Sequence, residues 1–207
     1  MLIILMIIIA YLLGSIPSGL WIGKIFYHKD ITKEGSGNIG TTNTFRVLGF
    51  KAGVVVLFMD ILKGTLAASQ PYLFHQSHVN PLLIGLFASV GHAVSIFDHF
   101  HGGKAVATSA GILLAYNPGL FVIAASTFVG VLLITSMASM ASMIGMTTIF
   151  VIAIYIQDWI LATVAGILTV AVFYLHRSNI VRIIHGKESL VHFGLVYHLT
   201  KKKPTKE

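Results

Sequence analysis

From residue 2 to residue 22 the chain carries no charged side chain, and similarly apolar runs recur along most of its length. An α-helix rises about 1.5 Å per residue, so about 20 such residues cross the ~30 Å hydrocarbon core of a bilayer. Lipid offers no hydrogen bonds to the backbone, and a continuous apolar run meets that demand as a helix. The 207 residues are 56% hydrophobic and only 10% charged, far from the balance of a soluble domain. The expectation is an all-α integral membrane protein.

Seven helices are predicted, over 2–22, 53–74, 81–97, 105–116, 119–135, 138–156 and 159–175. The breaks fall at Asn117–Pro118–Gly119, in a Ser/Met-rich stretch over 136–142, and at Gln157–Asp158. The piece 105–116 is too short to cross fully and must be tilted, re-entrant or shielded. The first residues lack a basic leading stretch and a clean cleavage pattern, so they read as a retained span. No repeat or linker divides the chain, which reads as one domain over 1–207 with a flexible basic tail at 199–207.

Three polar, glycine-rich patches interrupt the apolar runs: SGNIGTTNTFR at 36–46, HGGKAVAT at 101–108 and HRSNIVRIIHGKES at 176–189. With seven spans all three fall on one face. Their basic residues mark that face as cytoplasmic, placing the N-terminus outside and the C-terminus inside. The net charge of +7 sits beside the spans and at Lys201, Lys202, Lys203 and Lys206. Anionic headgroups or anionic substrates suit that placement, and nucleic acid does not. There are no cysteines, which excludes disulfides and thiolate chemistry. Ten histidines occur without HExxH or comparable spacing, so no metal site is expected.

Glycines expose backbone amides, and Arg and Lys add positive charge; together they suit phosphate. In the first patch Ser36, Asn38, Thr41, Thr42, Asn43 and Arg46 alternate with Gly35, Gly37 and Gly40. The alternative is a tight polar connector, which seldom needs so many donors. Lys104 follows Gly102–Gly103 at the start of a helical stretch; as a positive-inside anchor it would need no ligand. His176 and Asn179 are spaced for one helical face that Arg182 extends. Arg177 and Arg182 also fit a headgroup-binding belt. His92 reads as a packing residue, and Asp60 with Lys63, three apart in the second span, as a self-neutralising pair. Neither a GxSxG elbow nor a His followed five positions later by Asp is present.

With these residues in view, the chain resembles the bacterial acyl-phosphate:glycerol-3-phosphate acyltransferase family. The resemblance rests on GSIPSG at 14–19, SGNxGxxN at 36–43, DxxKG at 60–64, GH at 91–92, GGK at 102–104 and HRxNIxR…GxE at 176–188. Ile39 stands where the family usually has Pro, and Ala105 where it usually has Gly. The resemblance implies transfer of a fatty acyl group from acyl phosphate to the 1-hydroxyl of sn-glycerol 3-phosphate, giving lysophosphatidate and phosphate. It implies no cofactor and a site at the cytoplasmic face of a bacterial cell membrane. It carries Ser36, His176 and Asn179 over as catalytic residues. Asn38, Gly40, Thr41, Asn43, Arg46, Gly102, Gly103, Lys104, Arg177 and Glu188 carry over as phosphate-binding residues. The soluble enzyme that makes acyl phosphate is a candidate partner. The main rival is a transporter of a phosphorylated metabolite, which would favour a midplane site in repeated, broken helices.

Overall fold

The computed structural model describes residues 1–201 and is all-helical; among these residues no β-strand forms. Two compact units divide the chain, Met1–Phe121 and the part from Val122 onward. The first holds α1 (Leu2–Ser15), α2 (Ser18–Phe26), α3 (Thr41–Leu48), α4 (Phe50–Leu73), α5 (Pro81–Ala93), α6 (Val106–Tyr116) and the start of α7 (Pro118–Thr135). The second holds the rest of α7 with α8 (Ala138–Tyr155), α9 (Trp159–Leu175), α10 (Arg177–Ile184) and α11 (Leu195–Lys201). The expected basic tail begins inside α11, while Lys202, Lys203 and Lys206 lie outside the described residues.

The predicted first span is not one rod. It is α1 and α2, bent by 46° at Ile16–Pro17, where proline has no N–H to continue the ladder. The third span also stops early, at Ala93, because Ser95 turns the chain by capping the 3-10 turn Ile96–Asp98. Elsewhere the breaks follow side-chain caps: Asn80 ahead of Pro81, Asn117 ahead of Pro118, and Asp158 ahead of α9 each accept a backbone N–H. Among the described residues, α4, α7 and α8 are each long and apolar enough to cross a membrane, and the bent pairs α1–α2 and α9–α10 raise the count to five. α5 and α6 are shorter, at 13 and 11 residues.

α4 is amphipathic in the reverse sense of a soluble helix. Asp60 and Lys63 are buried, while Val55, Phe58, Leu62 and Leu66 face outward. Hydrocarbon solvent dictates that inversion, since an ionised group is far costlier in lipid than against a partner. Small residues set the helix spacing. A Cβ on Gly64 would strike the Thr108 carbonyl of α6, and one on Gly111 the Ile61 carbonyl of α4, so these helices cross almost backbone to backbone.

Candidate active site

Asn43 organises the first patch. It is fully buried, its Oδ1 accepts the Ser36 N–H at 2.8 Å, and its Nδ2 donates to the carbonyls of Ile31 (2.9 Å) and Glu34 (3.2 Å). Both amide hydrogens are therefore engaged by the protein. Asn43, expected among the phosphate-binding residues, here ties the loop to Ile31 and Glu34. Asn38 Oδ1 accepts the Gly40 N–H at 2.9 Å and fixes the turn into α3, so that amide too serves the loop. Against this frame Ser36 and Arg46 are exposed, and Thr41 lies at the α3 N-terminus with its hydroxyl 3.4 Å from Asp60 Oδ2.

Asp60 and Lys63 form the expected ion pair at 2.8 Å, with side-chain exposures of 2% and 5%. The ammonium also donates to the Ile16 carbonyl at 2.9 Å, an acceptor freed by the α1–α2 break. Ser18 donates to Asp60 Oδ1 at 2.9 Å.

The second patch packs on the end of α5. The Gly103 N–H donates to the His92 carbonyl at 2.9 Å, and a Cβ at Gly103 would collide with the His92 ring. A Cβ at Gly102 would strike the His92 and Ala93 carbonyls. These glycines, expected to face phosphate, permit close packing, and the Gly103 amide is engaged by His92. They deliver the half-buried Lys104 to the start of α6. His92 is buried, with Nδ1 3.1 Å from the Thr108 hydroxyl, in keeping with its packing role.

In the second unit a carboxylate gathers the third patch. Glu188 Oε1 accepts from Asn179 Nδ2 (2.6 Å) and Ser139 Oγ (2.7 Å), and Oε2 accepts from Arg182 Nε (2.8 Å). A carboxylate engaged in this way cannot donate to phosphate, and Glu188, expected among the phosphate-binding residues, here holds Asn179 and Arg182. Burial raises its pKa, but the bonds from Asn179, Ser139 and Arg182 and the guanidinium charge outweigh that and hold it below the usual carboxylate range. His176 lies at the 60° bend between α9 and α10, with Nδ1 2.8 Å from the Val172 carbonyl. That bond orients the ring. His176 and Asn179 are both buried, whereas Arg177 is exposed, stacked on Tyr174 at 4.5 Å.

A family model for glycerol-3-phosphate acyltransferase matches residues 4–186, through both units. The chain belongs to that family. A glycerol-3-phosphate acyltransferase of Limosilactobacillus reuteri is 75% identical over 202 residues, covering 97% of each chain. One of Enterococcus faecalis is 53% identical, covering 97% of both. The crystal structure of PlsY (YgiH), an integral membrane glycerol 3-phosphate acyltransferase, in its glycerol 3-phosphate form superposes with a TM-score of 0.86 at 33% identity. That match covers 96% of this chain and 99% of the other. Its lysophosphatidic acid form gives 0.83 at 32% identity, covering 97% and 100%. The protein is thus an all-helical integral membrane acyltransferase of phospholipid synthesis.

Both departures from the family pattern have a structural setting. Ala105 holds φ +57°, ψ +9°, a left-handed conformation that glycine adopts without penalty and that costs an L-residue roughly 1–2 kcal/mol. Ile39 is buried, and its carbonyl meets Gly19 so closely that a Cβ there would collide. Sequence reasoning passed over Ser18 and Ser139. Ser18 stood inside a quoted motif without a role, and Ser139 inside a stretch read only as a helix break.

Proposed function

We propose that this acyltransferase uses fatty acyl phosphate as its donor. The 1-hydroxyl of sn-glycerol 3-phosphate attacks the acyl carbonyl, the new ester C–O bond forms, and the C–O bond to phosphate breaks. Lysophosphatidate and inorganic phosphate leave. A mixed anhydride is already activated, so positioning and charge stabilisation carry the reaction without a covalent enzyme nucleophile. The hydroxyl proton passes to the departing phosphate.

The observation that carries this reading is the first patch. Its framework donors on Asn43 and Gly40 are engaged internally and the Thr41 hydroxyl is turned to Asp60, which leaves Ser36 and Arg46 exposed on a preset loop. Arg46 and Lys104 bind and neutralise phosphate, Arg177 adds charge, and Ser36, His176 and Asn179 hydrogen-bond and orient the substrates. The test is purified protein given glycerol 3-phosphate with palmitoyl phosphate or palmitoyl-CoA, followed by phosphate and lysophosphatidate. Product from acyl phosphate alone is expected. Product from the thioester alone would overturn the donor assignment, and no product from either would bring back the transporter.

We further infer that the two units serve one catalytic domain, which the family match running through both supports. In this reading the chain crosses a bacterial cell membrane seven times, with the N-terminus outside and the C-terminus in the cytoplasm. The basic residues Lys24, Lys29, Lys33, Arg46, Lys104, Arg177, Arg182 and Lys187 then share the inner face, in accord with the positive-inside rule. The soluble source of acyl phosphate meets the protein there. The chain has no cysteine, so single cysteines at Lys29, His78 and Lys187 report sidedness directly. An impermeant maleimide on intact cells should label only the one at His78.

A further inference from the structure

The Asp60–Lys63 pair does more than cancel its own charge. A self-neutralising pair needs no partner beyond itself, yet Asp60 reaches four different segments. Ser18 of α2 donates to its Oδ1 at 2.9 Å, Lys63 of its own helix lies at 2.8 Å, and the His92 ring of α5, whose Nδ1 pairs with the Thr108 hydroxyl, packs beside it at 3.9 Å without a hydrogen bond. Thr41, the first residue of α3, approaches its Oδ2 at 3.4 Å. Lys63 adds a fifth point by holding the Ile16 carbonyl at the α1–α2 break.

Two of those contacts lead directly to the patches assigned to phosphate. Thr41 closes the loop shaped by Asn38 and Asn43 and begins the helix that presents Arg46. His92 holds the Gly103 amide through its carbonyl, and its ring fills the space a Cβ at Gly103 would need, one residue before Lys104. A bare carboxylate behind two phosphate-binding segments would repel the ligand over these distances. Lys63 removes that penalty and leaves Asp60 as a neutralised acceptor that can tie the segments together.

The geometry points to Asp60, held by Lys63 and Ser18, as a positioning residue that sets the first and second patches relative to each other for glycerol 3-phosphate. This rests on the reading of 36–46 and 102–104 as phosphate-binding segments. Asp60 itself touches no substrate.

The test is the double variant Asp60→Asn/Lys63→Met, which removes both charges and strands neither in the apolar interior. Glycerol 3-phosphate binding is measured by calorimetry, KM and kcat by acylation, and folding by the thermal midpoint in detergent. We expect Kd and KM for glycerol 3-phosphate to rise at least tenfold while the protein stays monodisperse. Binding and kinetics equal to wild type would overturn the inference and leave the pair a charge-cancelling device. Should the double variant not fold, Ser18→Ala keeps the ion pair and removes one bond to Asp60. A rise of about threefold in the same constants is expected, using the ordinary ~0.5–1.5 kcal/mol of one hydrogen bond, and unchanged constants would overturn the inference. The calorimetric arm needs no acyl donor, so failure of the donor assignment and failure of this inference read out separately.

Discussion

Glu188→Gln isolates the carboxylate that gathers the third patch. Glutamine keeps the shape, but its amide has one oxygen where glutamate offers two. If the oxygen faces Ser139 and Asn179, the NH2 confronts the Arg182 Nε–H; if it turns, the NH2 confronts both other donors. Either way at least one donor faces another donor, and the remaining bonds lose their charge assistance, which separates about 1.5–3 from about 0.5–1.5 kcal/mol per bond. Arg182 is 39% exposed, so its share is taken at the low end. A loss of about 1 kcal/mol there and about 1 kcal/mol at Asn179 gives a net cost of about 2 kcal/mol. For a chain of this size that lowers the thermal midpoint by about 4–8 °C. Differential scanning fluorimetry in detergent measures it. Freed from Glu188, Asn179 loses its fixed orientation, and kcat/KM should fall about tenfold. A variant with the wild-type midpoint and wild-type kinetics would refute the claim that Glu188 positions Asn179.

The same carboxyl predicts an acid limb. Its folded pKa lies below its unfolded value, so its stabilisation is fully present above the unfolded value and is lost as pH falls through the folded one. Midpoints measured against pH should show a shallower acid limb in Glu188→Gln, and coincident limbs would contradict the shift. Arg46→Ala and Lys104→Ala should each cut kcat/KM more than tenfold, the loss from one charge-assisted contact of about 1.5–3 kcal/mol; wild-type kinetics would remove that residue from the site. His176→Ala should lower kcat, and full activity across the pH range would end its orienting role. Gly111→Ala places a methyl against the Ile61 carbonyl and should cost about 1–3 kcal/mol as α4 and α6 are forced apart. An unchanged thermal midpoint would show that the crossing can yield.

The membrane class, the helix breaks at Asn117 and Asp158, and the three polar patches were all legible along the chain, because hydropathy and turn chemistry are local properties. The bend at Pro17 carried a local sign as well, but the apolar run on either side masked it. Which donors face a ligand could not be read in this way. Asn43 and Ser36 look alike as polar loop residues; only the fold reveals that the Asn43 amide is consumed by the carbonyls of Ile31 and Glu34.

The sequence alone determined that this chain lives in lipid and that its polar groups cluster in patches, since the cost of placing a residue in hydrocarbon depends on the residue itself. Tertiary structure decided that Asn43 braces the 36–46 loop, that Gly103 packs on His92, that Glu188 holds Asn179, and that Ser18 of α2, Lys63 of α4 and Thr41 of α3 converge on Asp60 beside His92 of α5. A hydrogen bond depends on ångström-scale placement of two groups, and Ser18 and Asp60 are 42 positions apart in the chain.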